Sequence, residues 1–293
     1  MCNFNCKIRL QTFQMFLTEL KQKYKKIELL KNFCKNQIGF LQSLLNKLPN
    51  KNVIYLKDSE ISQGIVPNPD KVNSRNIKKI DNLTIEKYKI TVGDNVFVFP
   101  RGYLENLTDF EKEFLKPTYE PTDMNKYRFP YTYSNELLYL TPLNTKNIDL
   151  SSIKNLISHL TPYFDIMEDR RENKKGSREN YHLHWQRDEQ FFDVGEKILC
   201  VRKCDKPTFI YTTEKAYVQL SFNIIKTERI SLKYLTGILN SNIIEFWLKY
   251  KGKMQGNNYQ IDAEPLTKIP IRYEKNKLNK LIENITEDII GYN

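Results

Sequence analysis

Apolar positions in the first fifty residues recur at steps of three and four. Phe13, Leu17, Leu20, Tyr24, Ile27, Leu30, Cys34, Ile38, Leu41, Leu45 and Leu48 form one stripe, uninterrupted by proline before Pro49. That spacing predicts a helix over about residues 8–48, with a seam close to the a/d pattern of a coiled coil. Gly39 and the uneven step from Ile27 to Leu30 weaken the repeat. A stripe of this length needs a cover, so packing against a partner chain or a later helix is expected ahead of direct contact with a polyanion.

Beyond Pro49-Asn50 the pattern changes to short β-like runs. Residues 52–56 and 60–66 lead into Pro67-Asn68-Pro69-Asp70, a rigid turn in which Asp70 can cap and Lys71 is presented outward. Residues 87–91 and 95–99 predict a hairpin around Val92-Gly93-Asp94. Residues 107–116 predict a helix stopped by Pro117, and residues 127–140 return to aromatic strand material. Ser151-Ser152 reads as the N-cap of a helix with Ile153, Leu156, Ile157, Leu160, Phe164 and Met167 on one face, ending at Arg170-Arg171.

A basic loop with Lys174, Lys175 and Arg178 follows. Two predicted strands, residues 181–185 and 197–201, then run straight into charge, Gln186-Arg187-Asp188 and Arg202-Lys203. Strand ends that carry Arg and Lys to one rim suit a surface facing phosphates and purine edges. Residues 216–225 predict another strand and residues 232–250 one amphipathic helix burying Leu235, Ile238, Leu239, Phe246 and Trp247. A basic loop over residues 251–256, a crossing at 265–271 and a helix at 278–290 complete an α+β fold. Three parts are expected: a helical spacer or coiled-coil segment (1–50), a mixed-sheet core (51–230) and a helical segment packed on it (231–293).

Composition sharpens this picture in one respect. The chain has 293 residues and a formal net charge of +11. Nine Lys or Arg against two Glu before residue 51 supply +7 of it. The excess points to an acidic partner, nucleic acid first and a membrane surface second, although AT-rich genomes also favour lysine. No run approaches the roughly 18 apolar residues of a membrane span, and no secretory signal pattern opens the chain. The five cysteines Cys2, Cys6, Cys34, Cys200 and Cys204 are odd in number and scattered, which argues against a disulfide framework. A reduced, cytoplasmic protein is expected.

Other chemistry is imaginable. His182 and His184 with Cys200 and Cys204 offer four zinc-ligand types, but ordinary sheet packing explains them with fewer demands. A Cys–His nucleophile would need a base beside one thiol, which no spacing here favours. Trp185 and Trp247 read as core anchors rather than base-stacking platforms.

Taken in order, several segments resemble the TaqI-like C-terminal specificity domain of type IIG restriction-modification enzymes and related adenine-N6 DNA methyltransferases. They begin with Ile61-Ser62-Gln63-Gly64-Ile65-Val66, Asp70-Lys71, Gly93-Asp94, Pro100-Arg101 and Leu115-Lys116-Pro117. Glu168-Asp169-Arg170-Arg171, His184-Trp185-Gln186-Arg187-Asp188 and the run from Lys197 to Arg202 follow. Leu235-Thr236-Gly237-Ile238-Leu239-Asn240-Ser241-Asn242, Glu245-Phe246, Lys251-Gly252-Lys253, Pro265-Leu266 and Ile269-Pro270-Ile271 end the series.

The resemblance covers about residues 52–272. It implies a target-recognition domain that reads duplex DNA in the major groove for a methyltransferase, or methyltransferase-nuclease, located elsewhere. S-adenosylmethionine, and magnesium where a nuclease is present, then belong to that partner. No Asn-Pro-Pro-aromatic motif, Gly-rich cofactor turn or metal-nuclease signature is seen in this chain, so no catalytic residue or metal ligand is expected. Candidate DNA contacts are Gln63, Lys71, Arg101, Lys116, Arg170, Arg171, Arg187, Arg202, Lys203 and Lys253. The N-terminal helix is a candidate for self-association. Because the chain starts only some fifty residues ahead of the recognition region, a separate subunit, an excised piece or a remnant of a split gene is expected. The two rivals are a small zinc-dependent enzyme and a coiled-coil interaction module.

Overall fold

The computed structural model describes residues 52–292. The predicted N-terminal helix, with Cys2, Cys6 and Cys34, lies outside the described residues. Within the unit that begins at Ile54, a four-stranded antiparallel sheet sets the architecture. Its order is Ile61–Gln63, Phe222–Ile225, Lys197–Val201, Phe209–Thr212. Pairing is in register, with Ile198 opposite both Ile225 and Tyr211.

Every residue of the three strands Lys197–Val201, Phe209–Thr212 and Phe222–Ile225 is buried. Such a sheet is covered on both faces, which is why its strands read as unbroken apolar runs instead of alternating ones. Leu199, Val201, Ile210, Phe222 and Ile224 join one large apolar cluster with Ile65, Leu137, Leu183 and Tyr217. Ile198, Cys200, Phe209 and Ile225 occupy the alternate positions, on the face where helix Leu232–Leu239 packs.

Lys197 is the one charged residue of these three strands. Its buried ammonium donates to the carbonyls of Asp193 at 2.8 Å, Gly195 at 2.9 Å and Glu214 at 2.7 Å. Burial, and then the charge of Lys226, push it down to about 8.

A second antiparallel sheet runs Val98–Pro100, Asn135–Leu138, Leu115–Thr118. Pro117 lies within this last strand rather than ending a helix; an edge strand tolerates the missing N–H. The helix there is a single turn, Asp109–Lys112, closed by the Thr108–Glu111 capping box. The expected hairpin around Gly93 keeps its turn and loses its first arm, because residues 82–88 form the helix Asn82–Tyr88 capped by Asp81. Of the aromatic segment 127–140, Asn135–Leu138 alone is strand. Tyr127, Phe129, Tyr131 and Tyr133 instead line an open cleft of about 620 Å³.

The helix predicted from Ser151 is divided. Asp149 accepts from the Ser151 N–H, and Lys154–Leu160 is followed by a tighter turn at Pro162 and then by Phe164–Glu168. The long C-terminal amphipathic helix is likewise two helices, Leu232–Leu239 and Asn242–Lys251, because Ser241 accepts from the Ile244 N–H and starts a new one. Buried Asn240 at the break holds the sheet edge, accepting from Phe209 N–H at 3.1 Å and donating to its carbonyl at 2.8 Å. The last helix, Lys277–Tyr292, crosses Leu232–Leu239 at Gly237, where a Cβ would come 2.3 Å from Thr286 Oγ1. Trp247 is buried as expected.

Candidate nucleic-acid interface

The predicted strand 181–185 does not form. Successive N–H groups bond to different neighbours: His182 to Glu179, Leu183 to Leu140, His184 to Pro67 and Trp185 to Val66. A ladder needs one continuous partner, so a single bridge, Val66 to Trp185, remains. The segment is a connector threaded between two parts of the core. It leaves Trp185 exposed rather than buried, a correction to the expected core anchor.

At its end Arg187 turns with φ +62° and lays its guanidinium over the Trp185 ring, 5.3 Å from the centroid. Its Nε donates to Gly64 O at 3.3 Å and its Nη2 to Gln63 Oε1 at 3.1 Å. Gly64 is held close to the neighbouring loop, since a Cβ there would fall 1.8 Å from Gln219 O.

Arg202 sits at a corner. Strand Lys197–Val201 ends there, and the chain enters a small sheet ordered Lys253–Gln255, Asn258–Gln260, Lys203–Cys204. The Arg202 carbonyl accepts from the Ile261 N–H at 2.7 Å. Its guanidinium donates to Leu220 O at 2.7 Å and to Asp262 Oδ1 at 2.7 Å. Register places Lys253 opposite Gln260 and Gln260 opposite Lys203, so these three form a row across one face. Asp262 closes the row, accepting from Gln260 at 2.8 Å and lying 3.6 Å from Lys253 Nζ.

Arg187, Arg202, Lys203 and Lys253, from three separate stretches of sequence, thus lie along one seam with Gln63, and two of them, Arg202 and Lys253, share the carboxylate of Asp262. Burial opposes ionisation of Asp262, but the Arg202 hydrogen bond and charge outweigh it and hold the carboxyl below its usual range. Burial, and then the nearby charge of Arg202, lower Arg187.

The other candidates lie apart from the seam or are otherwise engaged. Arg101 stacks over Tyr133 at 4.6 Å, Lys116 over Tyr217 at 5.5 Å, and Lys71 is exposed on its loop. Arg170 is a correction: it is buried, and it donates to the carbonyls of Met167, Pro67, Asn68, Glu179 and Asn180 and to Asn173 Oδ1. A guanidinium spent on carbonyls behind the surface has nothing to offer a phosphate. Arg171 opens the helix Arg171–Lys174.

The zinc reading fails on geometry. His182 pairs with Thr145 Oγ1 at 2.8 Å and accepts from the Glu179 N–H at 3.1 Å. Burial, then the charges of Arg178 and Arg170, push it down to about 4. Cys200 is buried in the sheet with its thiol pushed well up. Among the described residues no group of three His, Cys, Asp or Glu side chains is arranged to hold a metal.

Sequence reasoning missed Asp262 and Gln260. The run Asp262-Ala263-Glu264-Pro265 reads as a helix start, and Asp262 does occupy the N-cap of Ala263–Lys268, but its side chain makes no capping bond. It serves Arg202 instead.

Comparisons with known proteins bear on what this arrangement is. Type II methyltransferase M.HincII of Haemophilus influenzae is 32% identical over 87 residues, 29% of this chain and 17% of that protein. M.HindII of Haemophilus influenzae (strain ATCC 51907 / DSM 11121 / KW20 / Rd) is 31% identical over 87 residues, 29% of this chain and 16% of its own length. The chain therefore spans a small fraction of the curated relatives it matches.

Among solved structures, the type IIL restriction-modification enzyme MmeI in complex with DNA shares the fold at a TM-score of 0.56 and 11% identity. That match covers 79% of this chain and 27% of MmeI. The type IIG restriction endonuclease BpuSI gives a TM-score of 0.48 at 11% identity over 85% of this chain and 28% of its own. The model of the TaqI-like C-terminal specificity domain matches residues 76–271. With well over half of its length matched, this chain belongs to the TaqI-like C-terminal specificity domain family.

Proposed function

We propose that this chain recognises a short sequence in duplex DNA as the specificity part of a restriction-modification system, and that it positions an adenine-N6 methyltransferase, or methyltransferase-nuclease, whose chemistry resides elsewhere. One observation carries the reading: four cations from three separate segments line one seam, two of them, Arg202 and Lys253, sharing the carboxylate of Asp262. Exposed Lys203 and Lys253 suit phosphate oxygens, which position a protein on the duplex without reading it. The half-buried guanidiniums of Arg187 and Arg202 are held by neighbours and suit oriented contacts. Lys71, Arg101 and Lys116 lie on other segments and would add peripheral charge.

S-adenosylmethionine, and any magnesium, would be bound by the catalytic partner. The test is a titration of the full chain with mixed-sequence duplex over a range of salt. Lys203→Glu with Lys253→Glu should flatten the dependence of log K on log salt by about 2, close to one for each phosphate left unneutralised. Unchanged affinity and slope would remove the seam from the interface.

A further inference from the structure

We infer that Arg187 reads a guanine, and that Gln63, Gly64 and Trp185 exist in part to aim it. This rests on the duplex-recognition reading above and names a specificity-determining side chain within it. A guanidinium has two forks of parallel donors. In Arg187 the fork made by Nε and Nη2 is used, by Gly64 O at 3.3 Å and Gln63 Oε1 at 3.1 Å. The end-on fork, Nη1 with the second Nη2 hydrogen, has no hydrogen-bond partner among the described residues.

The plane of that fork is set twice over. Trp185 lies against one face at 5.3 Å, and the two bonds fix rotation within the plane. The backbone is committed as well, since φ +62° is a conformation that arginine rarely adopts. A phosphate asks for none of this: it accepts donors from many directions and is served by flexible lysines such as Lys203 and Lys253. Two parallel donors in a fixed plane match the O6 and N7 acceptors of guanine in the major groove.

Gln63 and Trp185 act through Arg187 and are positioning residues. The arrangement also predicts that lysine cannot substitute, because an ammonium keeps the charge and loses the fork.

The experiment is selection of duplexes from a random pool by the full-length chain, followed by replacement of each selected guanine with 7-deazaguanine. The wild-type chain should select a site in which one guanine loses on the order of tenfold or more in affinity when its N7 is removed. Arg187→Lys should lose the preference at that position alone and be insensitive to 7-deazaguanine there. Gln63→Ala should weaken the same position while leaving the others intact.

The 7-deazaguanine arm uses unaltered protein, so it stands even where a variant folds poorly. A selected site whose guanines all tolerate the replacement, or an Arg187→Lys variant with an unchanged site, overturns the assignment and marks Arg187 as a phosphate contact or a brace. A wild-type chain that selects no sequence overturns the duplex-recognition reading itself.

Discussion

Arg202 donates to Asp262 at 2.7 Å across sixty residues of sequence, and this ion pair joins the corner of the central sheet to the edge of the small one. Asp262 also faces Lys253 at 3.6 Å, so one carboxylate tempers two cations of the seam. Asp262→Asn keeps an acceptor for Arg202 and removes the charge. Non-specific duplex affinity should rise, and the salt dependence should steepen by about one unit of slope. Anisotropy titrations between low and moderate salt will read both, and an unchanged slope would mean that the seam faces away from the phosphates.

Arg170 should behave in the opposite way. Burial, and then the charge of Arg178, push it down to about 10, and its donors satisfy carbonyls on the loops that carry Pro67, Asn68, Glu179 and Asn180. Arg170→Ala orphans those carbonyls and should cost about 3 kcal/mol or more in denaturant unfolding. Below the melting transition its salt slope on DNA should equal that of the wild type. A shallower slope in a protein of normal stability would reinstate Arg170 as a contact.

Acid should expose a different weak point. The Arg229 hydrogen bond outweighs burial and, with those of Thr227 and the Lys57 N–H, holds Glu60 at about 2 against an ordinary 4.5. A depressed carboxylate stabilises the fold above its unfolded value and loses that contribution as pH falls, here between about 4.5 and 2. A shift of this size is worth about 3 kcal/mol at most, and solvent at the one-third-exposed Arg229 reduces it to about 1–2 kcal/mol. Glu60→Gln should be less stable than wild type at pH 6, with the gap closing towards pH 2. A gap independent of pH would show that the pair is not the source.

Gly64 and Gly237 make a graded pair. At Gly64 a methyl group would fall 1.8 Å from a backbone oxygen, Gln219 O, whereas at Gly237 it would meet the side-chain oxygen of Thr286 at 2.3 Å. A hydroxyl can rotate away and a backbone carbonyl cannot. Gly64→Ala should therefore cost about 3 kcal/mol and Gly237→Ala about 1 kcal/mol in unfolding free energy. Gly64→Ala should also blunt DNA sequence preference, because the Arg187 anchor moves with it. Equal losses at the two sites would contradict this account of the close approaches.

Periodicity was informative where elements are local or buried on both sides. The strand at 197–201 stands out because a sheet sandwiched between two layers requires five consecutive buried residues. The final helix, predicted at 278–290 and found as Lys277–Tyr292, is legible because one stripe faces one neighbour. Residues 181–185, which the sequence also reads as a strand, form none, since the N–H groups of residues 182–185 are taken by three different segments. A sequence window does not register which partner a backbone group will meet. The break at Ser241 inside the predicted helix 232–250 went unread for the same reason, since beside it Asn240 bonds to the backbone of Phe209, thirty-one residues away.

The same division runs through the site. Sequence alone determined that the chain is strongly basic, that Arg202 and Lys203 stand at the end of the strand over residues 197–201, and that the ordered segments match one family. Only the tertiary structure decided that Arg170 turns inward, that Asp262 answers Arg202, and that Gln63 and Trp185 fix the plane of Arg187. The reason is physical. Charge and periodicity are properties of single residues and short windows, whereas the direction and freedom of a guanidinium are set by groups that folding brings from sixty to more than a hundred residues away.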